Sequence, residues 1–154
     1  MSEIKRILLV EDHRRDLELT LTALEECNLA NEVTVVRDGA AALDFLRTCL
    51  ESPPNANARH GLPALVLLDI KLPKLNGLEV LARMKSDPRL RKIPVVMLTS
   101  SREDPDLDRS YELGVNAYVV KPLDLQQFIS AVKQTGAFWA VLNETPRGLA
   151  RRPG

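Results

Sequence analysis

The chain has 154 residues, enough for one domain of ordinary size, and its 45% hydrophobic and 27% charged side chains exclude an intrinsically disordered protein. Its 21 basic and 21 acidic side chains leave no net charge, so the cationic excess of a general nucleic-acid binder is missing. Apolar runs such as residues 64–68 are too short to cross a bilayer or to serve as a signal-peptide core, and two cysteines, Cys27 and Cys49, build no disulfide framework and fit a reducing cytoplasm.

Along the chain, Ile7-Leu8-Leu9-Val10 reads as a first strand and ends at Glu11-Asp12. Leu17, Leu21 and Leu24 follow at i, i+4, i+7 spacing, the stripe of an amphipathic helix. Val33-Thr34-Val35-Val36 is a second strand. After it Asp38 is placed to cap a helix marked by Leu43, Leu46 and Leu50. Residues 51–63 hold three prolines, two asparagines and a glycine and read as a long surface loop. Ala64-Leu65-Val66-Leu67-Leu68 is a third strand, ending at Asp69. Asn76-Gly77 opens a helix through Leu78, Leu81 and Met84, limited by Pro88. Val95-Val96-Met97-Leu98 is a fourth strand, ending at Thr99, and Leu107, Tyr111 and Gly114 mark a short helix closed by its glycine. Ala117-Tyr118-Val119-Val120 is a fifth strand, ending at Lys121. Beyond Pro122, Leu125, Phe128, Ile129 and Val132 mark a last helix, with Asp124 and Gln127 spaced as a capping box.

Most of the strands are continuously apolar, the pattern of parallel strands covered on both faces. Five of them alternating with five helices predict a doubly wound α/β sheet with right-handed crossovers. The expected division is a domain over residues 1–137 and an extension over 138–154, frayed at its end. The extension carries an apolar cluster, Phe138, Trp139, Val141 and Leu142. Two readings of the cluster stand: it covers its own last helix, or it is an interface arm that makes the chain a homodimer.

Open α/β sheets bind ligands beyond the carboxyl ends of their strands. Here those ends carry Glu11, Asp12, Asp69, Thr99 and Lys121, while the second strand ends without an obvious polar candidate. Two like charges 4 Å apart cost ~4 kcal/mol at an effective dielectric of 20. A hard divalent cation with a taste for oxygen, such as Mg²⁺, removes that cost. Asp69 could then attack phosphorus to form an aspartyl-phosphate, with Thr99 and Lys121 on the phosphoryl oxygens. Taken singly, each has a plainer reading: Glu11 and Asp12 as a helix cap and first-turn acid, Asp69 as a turn acid, Thr99 as a cap, Lys121 as a solvated lysine. The joint pattern is far more specific than any member. His13 beside the acid pair has only His60 elsewhere in the chain, so no histidine metal site is expected.

Glu11-Asp12, the segment from Asp69 through Pro73 to Asn76-Gly77, Thr99-Ser100 and Tyr118-Val119-Val120-Lys121-Pro122 together resemble the receiver domain of bacterial two-component response regulators, over residues 4–135. The resemblance implies a flavodoxin-like sheet of order 2-1-3-4-5 with helices on both faces. It implies Asp69 as phosphoacceptor, Asp12 and Asp69 as direct Mg²⁺ ligands, the Lys71 backbone carbonyl as a third, and Glu11 acting through water. It further implies Thr99 and Tyr118 as a switch pair, Lys121 as the phosphate-binding lysine, and a cis Lys121–Pro122 peptide. Glu11 stands where the family more often has Asp, and Lys71 and Ser101 occupy positions that tune aspartyl-phosphate lifetime.

The loop before the third strand and the tail are similar to those of stand-alone regulators paired with bacterial and cyanobacterial phytochrome histidine kinases. The chain is thus expected to be a cytoplasmic response regulator without an output domain. It would take its phosphoryl group from a sensor histidine kinase, signal by protein–protein contact as a homodimer, engage neither nucleic acid nor membrane, and catalyse only its own phosphotransfer and autodephosphorylation. Three other readings stand beside this one. One is a relay step to a histidine phosphotransfer protein, another a receiver-like scaffold that never takes phosphate. The third is an aspartyl-phosphate-forming hydrolase, whose Asp-x-Asp is broken here by Lys71.

Overall fold

The apolar runs and amphipathic stripes assemble as their periods require. The computed structural model describes residues 6–29, 32–51, 61–100, 104–121 and 124–135. Among these, strands β1 (Arg6–Val10), β2 (Glu32–Val36), β3 (Leu65–Leu68), β4 (Val95–Thr99) and β5 (Ala117–Val120) alternate with helices α1 (Arg14–Glu26), α2 (Gly39–Glu51), α3 (Gly77–Ser86), α4 (Asp104–Glu112) and α5 (Leu125–Gln134). The strands form one parallel sheet in the order β2-β1-β3-β4-β5, the expected doubly wound topology. The extension at 138–154 and most of the 51–63 loop lie outside the described residues, as do Pro122 and Ser101.

Burial follows the sheet order. Every residue of β1, β3 and β4 is buried, whereas the edge strand β2 is half-buried throughout. Alternate side chains feed two cores. Ile7, Leu9, Leu65, Leu67, Val96 and Leu98 pack with Leu24 of α1 and Phe128 and Val132 of α5. On the opposite face, Leu8, Val10, Val66, Leu68 and Met97 pack with Leu46 of α2 and Leu81 and Met84 of α3. Both cysteines are half-buried, free thiols, and burial pushes each thiol above its ordinary pKa.

The structure moves four strand ends: β2 begins one residue early, at Glu32, β3 one residue late, at Leu65, and the other two shifts are in β4 and β1. β4 takes in Thr99, and β1 begins at Arg6, which period alone leaves outside because an arginine interrupts the apolar run. Its burial is offset at the two terminal nitrogens, where Nη2 meets Glu32 Oε2 at 3.1 Å and Nη1 donates to the Gly61 carbonyl, and the group lies over the Phe45 ring.

Local chemistry sets the helix starts. Asp38 Oδ1 accepts from the Ala41 N–H at 2.7 Å, and Asp124 Oδ1 accepts from the Gln126 and Gln127 N–H groups. The firmest start is that of α3, where Asn76 Oδ1 accepts from the Glu79 N–H and the Glu79 carboxylate accepts from the Asn76 N–H, a reciprocal capping box. Asn76→Ala is expected to lower stability by about 1 kcal/mol, read as a lower urea midpoint at unchanged slope.

Candidate functional site

The strand order reverses between β1 and β3, so the ends of those two strands open onto one crevice. Glu11 and Asp12 follow β1 and Asp69 follows β3, each reached within two residues of the register pair Val10–Leu68. Carboxylate oxygens of Glu11, Asp12 and Asp69 all lie within 4.8 Å of one another. Glu11 and Asp69 are buried. The chain crossing that holds Asp69 is tight: the Gly77 N–H donates to the Ile70 carbonyl at 2.7 Å. A Cβ on Gly77 would stand 2.1 Å from the Asp69 carbonyl oxygen, so only glycine lets α3 start this close to the acid. Gly39 plays the same part for the neighbouring turn, since its Cβ would meet the Leu75 carbonyl oxygen at 2.1 Å.

Lys121, at the end of β5, reaches across the crevice. Its Nζ donates to Glu11 Oε1 at 2.6 Å, to Asp16 Oδ2 at 2.9 Å and to Asp69 Oδ2 at 3.1 Å. The second oxygens of two of these acids are held by backbone: the His13 N–H donates to Glu11 Oε2 at 3.1 Å and the Lys71 N–H to Asp69 Oδ1 at 3.3 Å. Burial is the main force raising the Glu11 pKa to about 7, helped by the charge of Asp69 and opposed by the Lys121 hydrogen bond. Burial alone would lower Lys121. Its hydrogen bonds to Glu11 and Asp16 and the charge of Asp69 outweigh that, and the group stays above the ordinary lysine range, fully cationic.

Thus Glu11, Asp12, Asp69 and Lys121 come together as the sequence suggests, with the Lys71 backbone against Asp69. Thr99 is fully buried at the end of β4, and its carbonyl accepts from the Lys121 N–H at 2.8 Å. Tyr118 lies on β5, half-buried against the core on the α2/α3 side. His13 caps α1 through its backbone, its side chain largely exposed. Two residues escape a reading of the sequence. Asp16, an ordinary first-turn acid by position, is a direct partner of Lys121. The second strand does contribute a polar group, because Arg37 Nη2, one residue past β2, donates to the Asp12 carbonyl at 2.9 Å.

The all-oxygen set at the crevice fits a hard divalent cation. An α/β sheet with such a pocket at its switch point defines a class of small domain built around an acidic crevice that a lysine reaches across. The chain belongs to the response regulator receiver domain family, whose sequence profile matches residues 7–133. It is 41% identical to the response regulator Rcp1 of Synechocystis sp., over 88% of each chain. It is also 41% identical to the probable methanogenesis regulatory protein FilR2 of Methanothrix harundinacea, over 91% of this chain and 86% of that one. Among solved structures, the bacteriophytochrome response regulator RtBRR shares 60% identity over 94% of this chain and 86% of its own, with a TM-score of 0.77. A Mn(2+)-bound form of response regulator Rcp1 shares 39% identity over 88% and 94%, with a TM-score of 0.69. Such domains accept phosphoryl groups in two-component pathways, bind a divalent metal in their acidic pocket and partner with sensor histidine kinases. No helix among the described residues is long and apolar enough to cross a membrane.

Proposed function

We propose that Asp69 is the phosphoacceptor and that the metal is Mg²⁺. The observation that carries this reading is the convergence of Lys121 Nζ on Asp69, at 3.1 Å, beside an oxygen cluster formed by Glu11, Asp12 and Asp69. Asp12 and Asp69 would hold the ion directly, with the Lys71 carbonyl, and Glu11 through water; when bound, the ion neutralises charge on the phosphoryl oxygens. The remaining work falls to this chain's own groups. The carboxylate of Asp69 attacks phosphorus, an O–P bond forms, the N–P bond of a phosphohistidine donor breaks, and the released imidazole takes a proton from solvent. Lys121 supplies a point charge to one phosphoryl oxygen and the Thr99 hydroxyl a hydrogen bond to another. Thr99 and Tyr118 form the switch pair, and attack of water on phosphorus later breaks the O–P bond, releasing inorganic phosphate and restoring the Asp69 carboxylate.

The similarity to the bacteriophytochrome response regulator RtBRR supports a phytochrome histidine kinase as donor. The unpaired thiols support a cytoplasmic setting. The apolar cluster Phe138, Trp139, Val141 and Leu142 supports a homodimer formed through an extension at 138–154 beside a receiver domain at 1–137. Incubation with acetyl phosphate and Mg²⁺ is expected to add one phosphoryl group to the intact mass of the protein. Asp69→Asn should gain none, and EDTA should abolish the gain. An adduct of the same yield on Asp69→Asn, or none on the wild type, would refute the assignment.

A further inference from the structure

Among the described residues Lys121 pairs with three carboxylates, and they are not equivalent. Glu11 and Asp69 belong to the oxygen cluster that fits a cation. Asp16 stands outside that cluster, in the first turn of α1, where the positive end of the helix dipole favours an acid. Its backbone is pinned in turn, because Thr20 Oγ1 donates to the Asp16 carbonyl at 2.9 Å. The acid also faces His13, whose Nδ1 is 3.7 Å from Asp16 Oδ2, but that ring is 65% exposed and adds little.

We infer that Asp16 is a positioning residue for phosphoryl transfer: it holds the Lys121 ammonium beside Asp69 once Glu11 and Asp69 are engaged elsewhere. The inference rests on the phosphoacceptor reading above and adds a residue to it. A lysine head rides on four rotatable bonds. A cation in the acidic cluster competes with Lys121 for the Glu11 and Asp69 carboxylates, and a phosphoryl group on Asp69 takes one of its oxygens into a covalent bond. Of the three carboxylates, Asp16 is the one outside the oxygen cluster, so it keeps its oxygen for the lysine through both events. Its side chain is 29% exposed, so the pair contributes modestly to stability while fixing where a charge sits.

The experiment measures the rate of phosphoryl uptake from acetyl phosphate at saturating Mg²⁺, together with the Mg²⁺ affinity and melting temperature of each variant of the full chain. Asp16→Asn is expected to slow uptake about tenfold, the scale of one charge-assisted hydrogen bond lost, with Mg²⁺ affinity unchanged. Asp16→Glu, which keeps the carboxylate, should recover most of the rate. In a Lys121→Met background, Asp16→Asn should make no further difference, because the group it positions is gone. Uptake by Asp16→Asn at the wild-type rate would overturn the inference alone. So would a loss explained by weaker Mg²⁺ binding, or an equal slowing in the Lys121→Met background. A wild type that takes up no phosphoryl group would overturn the phosphoacceptor reading, and this inference with it.

Discussion

Gly77→Ala is expected to lower the melting temperature by about 5–10 °C, from an overpacking cost of about 2–3 kcal/mol, and to weaken cation binding in the same protein. The added methyl carbon would lie 2.1 Å from the Asp69 carbonyl oxygen and 2.8 Å from both the Asp69 carbonyl carbon and Ile70 Cα. All three are backbone atoms, so no side chain can swing aside to make room. Either the first turn of α3 lifts off or the Asp69–Ile70 peptide shifts. Lifting the turn stretches the 2.7 Å bond from the Gly77 N–H to the Ile70 carbonyl and disturbs the Asn76–Glu79 capping box beside it. Shifting the peptide carries Asp69 away from Lys121 and from the oxygens of Glu11 and Asp12. Thermal unfolding and a Mg²⁺ titration read the two consequences. A variant that melts within about 1 °C of the wild type would show that the crossing has slack the geometry does not suggest.

Lys121→Met is expected to destabilise the protein more at alkaline than at acidic pH. The methionine keeps much of the apolar stem but leaves Glu11, Asp16 and Asp69 without the cation that sits 2.6–3.1 Å from each. Removing one partner from a buried ionic cluster costs about 3–5 kcal/mol when the remaining charges cannot escape. Glu11 has an escape. Its pKa is about 7 in the fold against 4.5 ordinarily, so between those values the folded state binds a proton that the unfolded state does not. Its contribution to stability therefore falls as pH rises across that window.

In the wild type the Lys121 hydrogen bond and charge restrain that rise. Without them Glu11 moves higher still, and the window extends past pH 7. At about pH 5 Glu11 is protonated in both proteins and the variant loses less. At about pH 9 the unpaired acids carry the full cost. Denaturant midpoints at the two pH values measure the difference, and an equal loss at both would remove Glu11 from the explanation.

Much of this was readable beforehand. Continuous apolar runs gave the buried strands, because strands covered on both faces have no polar side to alternate with. Glu11, Asp12, Asp69, Thr99 and Lys121 stand out because each lies within two residues of the end of an apolar run, a position that topology turns into proximity. Asp16 did not stand out: a first-turn acid is usual in a helix, and its partner is 105 residues away in the chain. Arg37 was hidden for a similar reason, since its target is a backbone carbonyl that any residue would offer. Gly77 read as part of a helix start, and nothing local shows that the Asp69 carbonyl oxygen occupies the space of its missing side chain.

The bonds from Lys121 to Asp69, Asp16 and Glu11 span 52, 105 and 110 residues. The Lys121 contacts to Glu11 and Asp69 can form only once β5 has docked, an entropically demanding closure in a parallel sheet. The charge balance of the pocket is thereby tied to completion of the sheet, so a chain in which β5 is unpaired lacks the ammonium that the acidic crevice needs.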